Sequence, residues 1–182
     1  MIVRPTDLEG CVLLVPEPLE DERGFFSRVW CTDVLASHGL ETTVAQSNIA
    51  YNHRAGTVRG LHFQRPPHDD VKVVRCTAGA VYDVVVDLRP TSETYLQWIG
   101  VELTASNRLS LYVPAGFAHG YQTLAHETET HYLHSAPYAP TFDGGVRWDD
   151  PAFAIDWPPA TTRNISAKDR SWPDYDPGSP IF

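Results

Sequence analysis

Short apolar segments, separated by Gly, Pro, Asn and Asp, recur along most of the chain. Their length and their Val, Tyr, Phe and Thr content are typical of β-strands rather than helices. The predicted strands span residues 12–15, 25–30, 44–51, 57–64, 71–74, 81–88, 98–103, 109–113, 121–124 and 128–134. Many short strands at turn spacing predict an all-β sandwich or barrel.

Helical signals are confined to two short stretches. Thr32 and Asp33 can cap a helix that stops at Gly39, and residues 166–170 form a second candidate. From residue 137 onward the alternation gives way to Pro, Asp and aromatic residues. No linker or internal repeat interrupts the chain, so residues 1–182 are predicted to form one domain.

Composition and charge narrow the classes of function. The chain is 42% hydrophobic and 20% charged, as globular proteins are, and it contains fifteen Pro and twelve Gly. Its net charge of −9 argues against generic nucleic-acid binding, which requires a basic surface. A small anionic ligand remains compatible with this charge, because a local group of Arg and Lys can hold it.

Cysteine usage and hydropathy bear on the compartment. Cys11, Cys31 and Cys76 are odd in number and lack metal-ligand spacing, which favours reduced thiols in a cytosol. Neither a signal-peptide pattern nor an apolar run of membrane length is present. We therefore expect a soluble cytoplasmic protein that does not bind membranes.

Residues 57–64 carry the first candidate chemistry. Strand alternation places Arg59 and Leu61 on one face and Gly60, His62 and Gln64 on the other. An Arg and a His in such a strand are costly to bury unless they are paired or bind something.

Lys72 follows shortly after this strand, beyond a Pro-Pro turn. Together with Arg59 and His62 it suits an anionic ligand with a base beside it. The alternative is purely structural: Arg59 and Lys72 lie on solvated faces, and His62 is a hydrogen-bonded core imidazole.

Two further places carry polar side chains of interest. His119 lies in a Pro- and Gly-shaped corner at residues 113–120, and Lys168 and Asp169 lie in the tail, where a carboxylate near a His can orient it.

In the strand 128–134, alternation places Thr130, Tyr132 and His134 on one face and His131 on the other. Taken singly, each of these residues is also compatible with a structural role.

Seven motifs occur together and in order, and their combination resembles the dTDP-4-dehydrorhamnose 3,5-epimerase family over residues 12–170. They are Asp21-Glu22-Arg23-Gly24-Phe25-Phe26, Arg59-Gly60-Leu61-His62-Phe63-Gln64, Asp83-Val84-Val85-Val86-Asp87-Leu88-Arg89, Pro114-Ala115-Gly116-Phe117-Ala118-His119-Gly120, Trp148-Asp149-Asp150-Pro151, Ile155-Asp156-Trp157-Pro158 and Ser166-Ala167-Lys168-Asp169-Arg170.

The resemblance implies a cupin jelly-roll barrel with few short helices that acts without a cofactor. The implied substrate is a nucleotide-diphosphate-linked 4-keto-6-deoxy sugar, epimerised at C3, at C5 or at both. It also implies a homodimer, in which an N-terminal strand carrying Phe25 and Phe26 reaches the partner's site.

The resemblance also assigns roles by position. His62 matches the base, Asp169 its carboxylate partner, and Tyr132 the acid that returns a proton to the opposite face. Lys72 matches a catalytic residue beside the sugar ketone, where a cation stabilises developing negative charge. The positions that match substrate-binding residues are Arg23, Phe25, Phe26, Gln46, Asn48, Arg59, His119, Tyr138 and Lys168. Of these, Arg23 and Arg59 match clamps on the diphosphate.

The chain departs from the family's usual residues at several positions. Arg28 stands where Glu is common, Asp70 stands where Gln is common, and His131 and His134 flank Tyr132. Other departures are Ala50-Tyr51 in place of a usual Ser, and Thr94-Tyr95-Leu96 without the usual Gly. They leave open the nucleotide base and a single-centre epimerase acting on a different 4-keto sugar.

Two rival classes were weighed against the epimerase. A metal-dependent cupin needs a cluster of ligands, yet His62 is followed by Phe63 and Gln64, which leaves only His62 and His119. No metal site is therefore predicted. A non-catalytic sugar-binding module would not need His62, Asp169 and Tyr132 together.

Overall fold

A computed structural model describes residues 1–178 and 181–182 of the chain. In these residues it contains two short helices and fourteen strands. The helices are α1 (Thr32–Ser37) and α2 (Ala167–Arg170). The strands are β1 (Ile2–Pro5), β2 (Val12–Val15), β3 (Leu19–Asp21), β4 (Gly24–Phe26), β5 (Gln46–Asn52), β6 (Thr57–Gln64), β7 (Lys72–Ala78), β8 (Ala80–Asp87), β9 (Trp98–Thr104), β10 (Ser110–Val113), β11 (Phe117–Thr123), β12 (Thr128–His134), β13 (Asp143–Gly145) and β14 (Asn164–Ile165).

The strands form two large sheets and one hairpin. The first sheet has the order β1-β2-β10-β7-β12-β5, and the second has the order β13-β6-β11-β8-β9, with β14 parallel to β6. Strands β3 and β4 pair only with each other. The two large sheets face each other as a jelly-roll barrel of the cupin type, which confirms the predicted fold class.

The main core lies between the two sheets. Val74 and Leu111 come from the first sheet and Val81, Val85 and Phe117 from the second, and all five are buried in one cluster. Removing this apolar surface from water is the main force that holds the sheets together.

A second core covers the outer face of the second sheet. Val84 and Val86 of β8 pack there against the C-terminal segment, including Val146, Trp157 and Tyr175. Strand β8 is therefore buried on both faces, which explains why its apolar run is nearly continuous. The irregular residues after 137 supply this outer cover.

Several predicted boundaries differ from the structure. Strand β4 ends at Phe26, whereas a strand over 25–30 was predicted, because β4 has only the three-residue β3 as its partner. Strand β11 begins at Phe117 rather than at residue 121. Gly120 was expected in a turn but lies in the middle of β11. It is close to β6 there, because an added Cβ would lie 2.5 Å from the Arg59 carbonyl oxygen. Strands β1, β3, β13 and β14 were not predicted.

Cys11, Cys31 and Cys76 are free thiols, as predicted. Within residues 1–178 and 181–182, the structure contains no helix long and apolar enough to cross a membrane.

Candidate active site

A cavity of about 630 Å³ opens between the two sheets. Its walls include residues of β5, β7 and β12 from the first sheet and of β6 and β11 from the second, and α2 closes one side. Most of the predicted site residues line it: Gln46, Asn48, Arg59, His62, Lys72, His119, Tyr132, Tyr138, Lys168 and Asp169.

A shift of register in β6 brings Arg59 and His62 to the same cavity. His62 lies opposite His119, and Arg59 lies opposite Tyr121, so β6 spans three residues where β11 spans two. The extra residue interrupts the alternation, as a β-bulge does. The prediction that Arg59 and His62 lie on opposite faces is therefore wrong.

Gly60 makes this irregular stretch possible. Its φ of +124° is unfavourable for residues with a side chain, and an added Cβ would lie 2.6 Å from Gly120 Cα. Strands β6 and β11 thus approach closely at the point where the register shifts.

His62 and Asp169 form the predicted pair. The Nε2 atom of His62 lies 2.6 Å from Oδ1 of Asp169, whose side chain is buried. Ser166 caps α2 by accepting a hydrogen bond from the Asp169 backbone N–H at 3.0 Å, which orients the first turn of the helix. The Gly60 N–H donates to the other carboxylate oxygen at 3.4 Å.

This environment favours the charged form of Asp169. Burial acts to raise the pKa of the carboxyl, but hydrogen bonds from His62, the Gly60 N–H and Ser166, with the attraction of the imidazole, hold the pKa below its ordinary value. A carboxylate beside His62 stabilises the imidazolium that forms when the ring takes a proton.

Lys72 and His119 are buried beside this pair. The ammonium of Lys72 donates to the His62 carbonyl oxygen at 3.2 Å. The Nε2 atom of His119 lies 2.9 Å from Oδ1 of Asp83, which is fully buried. No role was predicted for Asp83 from the sequence, although a carboxylate in the middle of the apolar run of β8 is a usable signal.

Tyr132 lies on β12, in the sheet opposite to His62. Tyr132 and His134 both line the cavity, whereas His131 lies 2.9 Å from the Ser47 hydroxyl on the other face, so the predicted alternation of β12 is confirmed. The pKa of the Tyr132 phenol lies well above its ordinary value, mainly because the phenol is buried and to a smaller extent because Tyr121 is nearby. The phenol therefore keeps its proton at neutral pH.

A further histidine–aspartate pair borders the cavity. The Nδ1 atom of His134 lies 2.8 Å from Oδ2 of Asp70, and both residues line the cavity. The sequence marked each residue as a departure from the family, but their contact was not predicted.

Arg59 is oriented by β5. Its Nε donates to Oδ1 of Asn52 at 2.8 Å, and its Nη2 donates to the Tyr51 carbonyl oxygen at 3.4 Å. At the same rim, the Tyr138 backbone N–H donates to the Gln46 side chain, and Lys168 pairs with Asp143. These contacts hold a guanidinium and an ammonium at the cavity edge.

Three predicted binding residues lie away from this cavity. Arg23, Phe25 and Phe26 belong to the β3–β4 hairpin; the Arg23 side chain is 85% exposed and pairs with Asp21 at 2.6 Å, and Phe26 is 73% exposed. Arg28 also lies outside the cavity, whereas Asp70 lines it. The hairpin thus presents an arginine and two aromatic rings to solvent.

In the part of the chain that the structure describes, no group of three or more His, Cys, Asp and Glu side chains could hold a metal ion. His62 and His119, the two histidines that a metal-dependent cupin would use, each place Nε2 against a carboxylate.

The chain is similar in sequence to known dTDP-4-dehydrorhamnose epimerases. The sequence model described as dTDP-4-dehydrorhamnose 3,5-epimerase matches residues 5–176. The enzyme of that name from Sinorhizobium fredii is 45% identical over 161 residues, which cover 88% of this chain and 83% of the relative. The dTDP-4-dehydrorhamnose 3-epimerase of Streptomyces niveus is 40% identical over 162 residues, covering 88% of this chain and 78% of the relative.

A solved structure matches the fold closely. The dTDP-4-dehydrorhamnose 3,5-epimerase of Bacillus anthracis, crystallised with TDP and PPi bound, superposes with a TM-score of 0.91 at 41% identity. The match covers 96% of this chain and 99% of that one.

Proposed function

The chain belongs to the dTDP-4-dehydrorhamnose 3,5-epimerase family and is an isomerase, and on that premise we propose that it epimerises a dTDP-linked 4-keto-6-deoxy sugar without a cofactor. The observation that carries this proposal is the placement of His62, paired with Asp169, and Tyr132 on the two facing sheets of one cavity. Inversion of a carbon requires a base on one side of the sugar ring and an acid on the other.

The first step is proton removal. The C4 ketone acidifies the neighbouring C–H bonds, and His62 takes the proton as the electron pair moves through the new C–C double bond onto the ketone oxygen. Because Nε2 of His62 is held by Asp169, Nδ1 is the nitrogen left to accept it. Lys72 is the donor that stabilises the enolate oxygen, and His119 lies beside the sugar.

The second step returns a proton from the other side. The enolate collapses to the ketone as the Tyr132 O–H bond breaks and a new C–H bond forms on the opposite face, leaving the centre inverted. The raised pKa of Tyr132 keeps the phenol protonated until this step.

The diphosphate and nucleotide occupy the rim of the cavity in this proposal. Arg59, fixed by Asn52, offers a planar guanidinium that suits phosphate oxygens, and Gln46 and Tyr138 lie nearby for the nucleotide. The Bacillus anthracis relative binds TDP, which supports dTDP as the carrier.

Proton NMR tests the activity. The wild-type protein is incubated with dTDP-4-keto-6-deoxyglucose in deuterated water, and incorporation of deuterium is followed at C3 and C5 together with the coupling constants of the product. We expect deuterium and inverted configuration at the same carbons. A substrate that remains undeuterated and unchanged in configuration would refute the epimerase.

A single-centre reaction is the second candidate, because the Streptomyces niveus relative is named a 3-epimerase. The same NMR experiment separates the two. Inversion at both carbons supports the 3,5-epimerase, whereas inversion at C3 alone supports the 3-epimerase.

The exposed β3–β4 hairpin supports a homodimer in which Arg23, Phe25 and Phe26 complete the cavity of the partner. Mixed dimers test this. Arg23→Ala and His62→Ala variants are each expected to be poorly active, and co-refolding them should restore activity, because half of the cavities in a mixed dimer receive neither substitution. Activity no higher than in the separate variants would show that the hairpin serves its own chain.

The proposed location of the reaction is the cytoplasm. The free thiols of Cys11, Cys31 and Cys76 suit a reducing compartment. Fractionation of cells that express the chain would test this location.

A further inference from the structure

Three histidine–aspartate pairs border the cavity, and the proposed reaction uses two of them. The pairs are His62 with Asp169, His119 with Asp83, and His134 with Asp70. In the third pair the Asp70 side chain is only 3% exposed and that of His134 is 20% exposed. A buried carboxylate requires a partner, and the 2.8 Å contact from Nδ1 fixes the His134 ring in one orientation.

That fixed ring lies against Tyr132. The rings of His134 and Tyr132 are nearly parallel, at an interplanar angle of 21° with centroids 5.9 Å apart. The His119 ring meets Tyr132 edge-on, at 73° and 6.1 Å. Offset-parallel and edge-to-face contacts at these distances are the favourable arrangements for aromatic rings. Tyr132 is therefore held between two imidazoles, each anchored by an aspartate.

The Tyr132 hydroxyl has two weak polar contacts. It receives a hydrogen bond from Thr130 Oγ1 at a long 3.3 Å, and it interacts with the Tyr121 hydroxyl. The same Thr130 hydroxyl also lies 3.4 Å from the Ala50 carbonyl oxygen and 3.5 Å from the Tyr121 hydroxyl. Packing of the ring against His134 and His119 therefore helps to set where the Tyr132 phenol oxygen lies.

We propose that His134, anchored by Asp70, is a positioning residue that aims the Tyr132 hydroxyl at the carbon to be reprotonated. This role rests on the proposed epimerisation and adds a residue to it. It predicts that His134 affects the inversion step and leaves proton removal by His62 in place.

The test compares two rates measured on the same sample in deuterated water, namely deuterium incorporation and epimer formation. His134→Gln removes the ring but keeps an N–H donor for Asp70, so the buried carboxylate stays paired. A misplacement of a reacting group by about 1 Å can cost about 100-fold in rate. We expect epimer formation to fall by about tenfold to 100-fold, deuterium incorporation to stay within about threefold of wild type, and KM to change little.

Two matched variants give the comparison. Asp70→Asn keeps an acceptor for Nδ1 and the ring itself, so most of the epimer formation should survive. His131→Gln makes the same change on the same strand but on the face away from the cavity, and both rates should equal those of the wild type. Should His134→Gln fail to fold, the double variant Asp70→Leu/His134→Leu removes the ring while replacing the buried pair with apolar side chains.

The outcomes are distinct. A lower ratio of epimer to deuterium in the His134 variants supports the positioning role. Equal losses of both rates, or no loss of either, overturn it while the proposed function stands. A wild-type protein that neither incorporates deuterium nor epimerises overturns the proposed function and the positioning role with it.

Discussion

The Nε2 atom of His62 lies 2.6 Å from Oδ1 of Asp169, although the two residues are 107 positions apart in the chain. His62 belongs to the second sheet, and Asp169 lies in the capped first turn of α2, which packs beside β6. The contact orients the imidazole and places a compensating charge behind it. Most of the expected chemistry follows from this pair and from Tyr132 on the opposite sheet.

His62→Ala should abolish deuterium incorporation at both C3 and C5. Loss of a positioned general base costs about 10²- to 10⁴-fold in rate. Binding of dTDP, measured by calorimetry, should stay close to wild type because Arg59 is untouched. His53→Ala is the control, since its side chain is 81% exposed and lies outside the cavity. Wild-type deuterium incorporation in the His62 variant would remove its role as the base.

Asp169→Asn should lower the free energy of unfolding at pH 7 by about 1.5–3 kcal/mol, the usual contribution of hydrogen bonds to a charged group. The folded-state pKa of Asp169 lies below its ordinary 3.8, so the carboxylate stabilises the fold above that pH. This stabilisation is lost as the pH falls through the folded-state pKa.

Urea unfolding of wild type and variant at successively lower pH measures this dependence. The difference in unfolding free energy should narrow below pH 3.8. Asp174→Asn is the control, because that exposed partner of Arg147 should contribute no more than about 1 kcal/mol. A difference that does not depend on pH would contradict the assignment.

Tyr132→Phe should still incorporate deuterium but form little epimer. The substitution removes the proton donor and keeps the ring, so the loss cannot be attributed to a cavity. Tyr112→Phe is a matched control, since its buried hydroxyl contacts the Glu41 backbone N–H, away from the active site. Normal epimer formation by the Tyr132 variant would show that another group is the acid.

Arg59→Ala should weaken the binding of free dTDP by about 1.5–3 kcal/mol for each lost charge-assisted hydrogen bond, and should raise KM in step. Calorimetry gives the first value and steady-state kinetics the second. Arg4→Ala, which removes an exposed arginine on β1 outside the cavity, should change neither. Unchanged affinity for dTDP would make Arg59 a structural residue.

Gly60→Ala should destabilise the fold by more than the roughly 1–3 kcal/mol of backbone strain alone. The reason is that the new Cβ would also press on Gly120 Cα at 2.6 Å. Gly24→Ala separates the two effects, because Gly24 has a φ of +127° but no atom within 4 Å of an added Cβ. Equal losses of unfolding free energy, measured in urea, would show that close packing at Gly60 does not matter.

The local sequence indicated an all-β fold and most of the residues that line the cavity. The period of two in β12 assigns Tyr132 and His134 to one face, because side-chain alternation needs only the strand itself. The apolar run of β8 indicated a buried strand, and residues 166–170 indicated a short helix. The residues proposed as the base and as the diphosphate clamps came from ordered motifs such as the one around His62.

Tertiary structure alone decided which of these residues meet. The register shift at Gly60 places Arg59 and His62 in one cavity, because β6 must match β11, and no alternation within β6 records that match. The contact between His134 and Asp70 likewise joins residues 64 positions apart. Such contacts depend on which strands become neighbours when the barrel closes. A local pattern of apolar and polar residues specifies a strand and its faces, but not its neighbours.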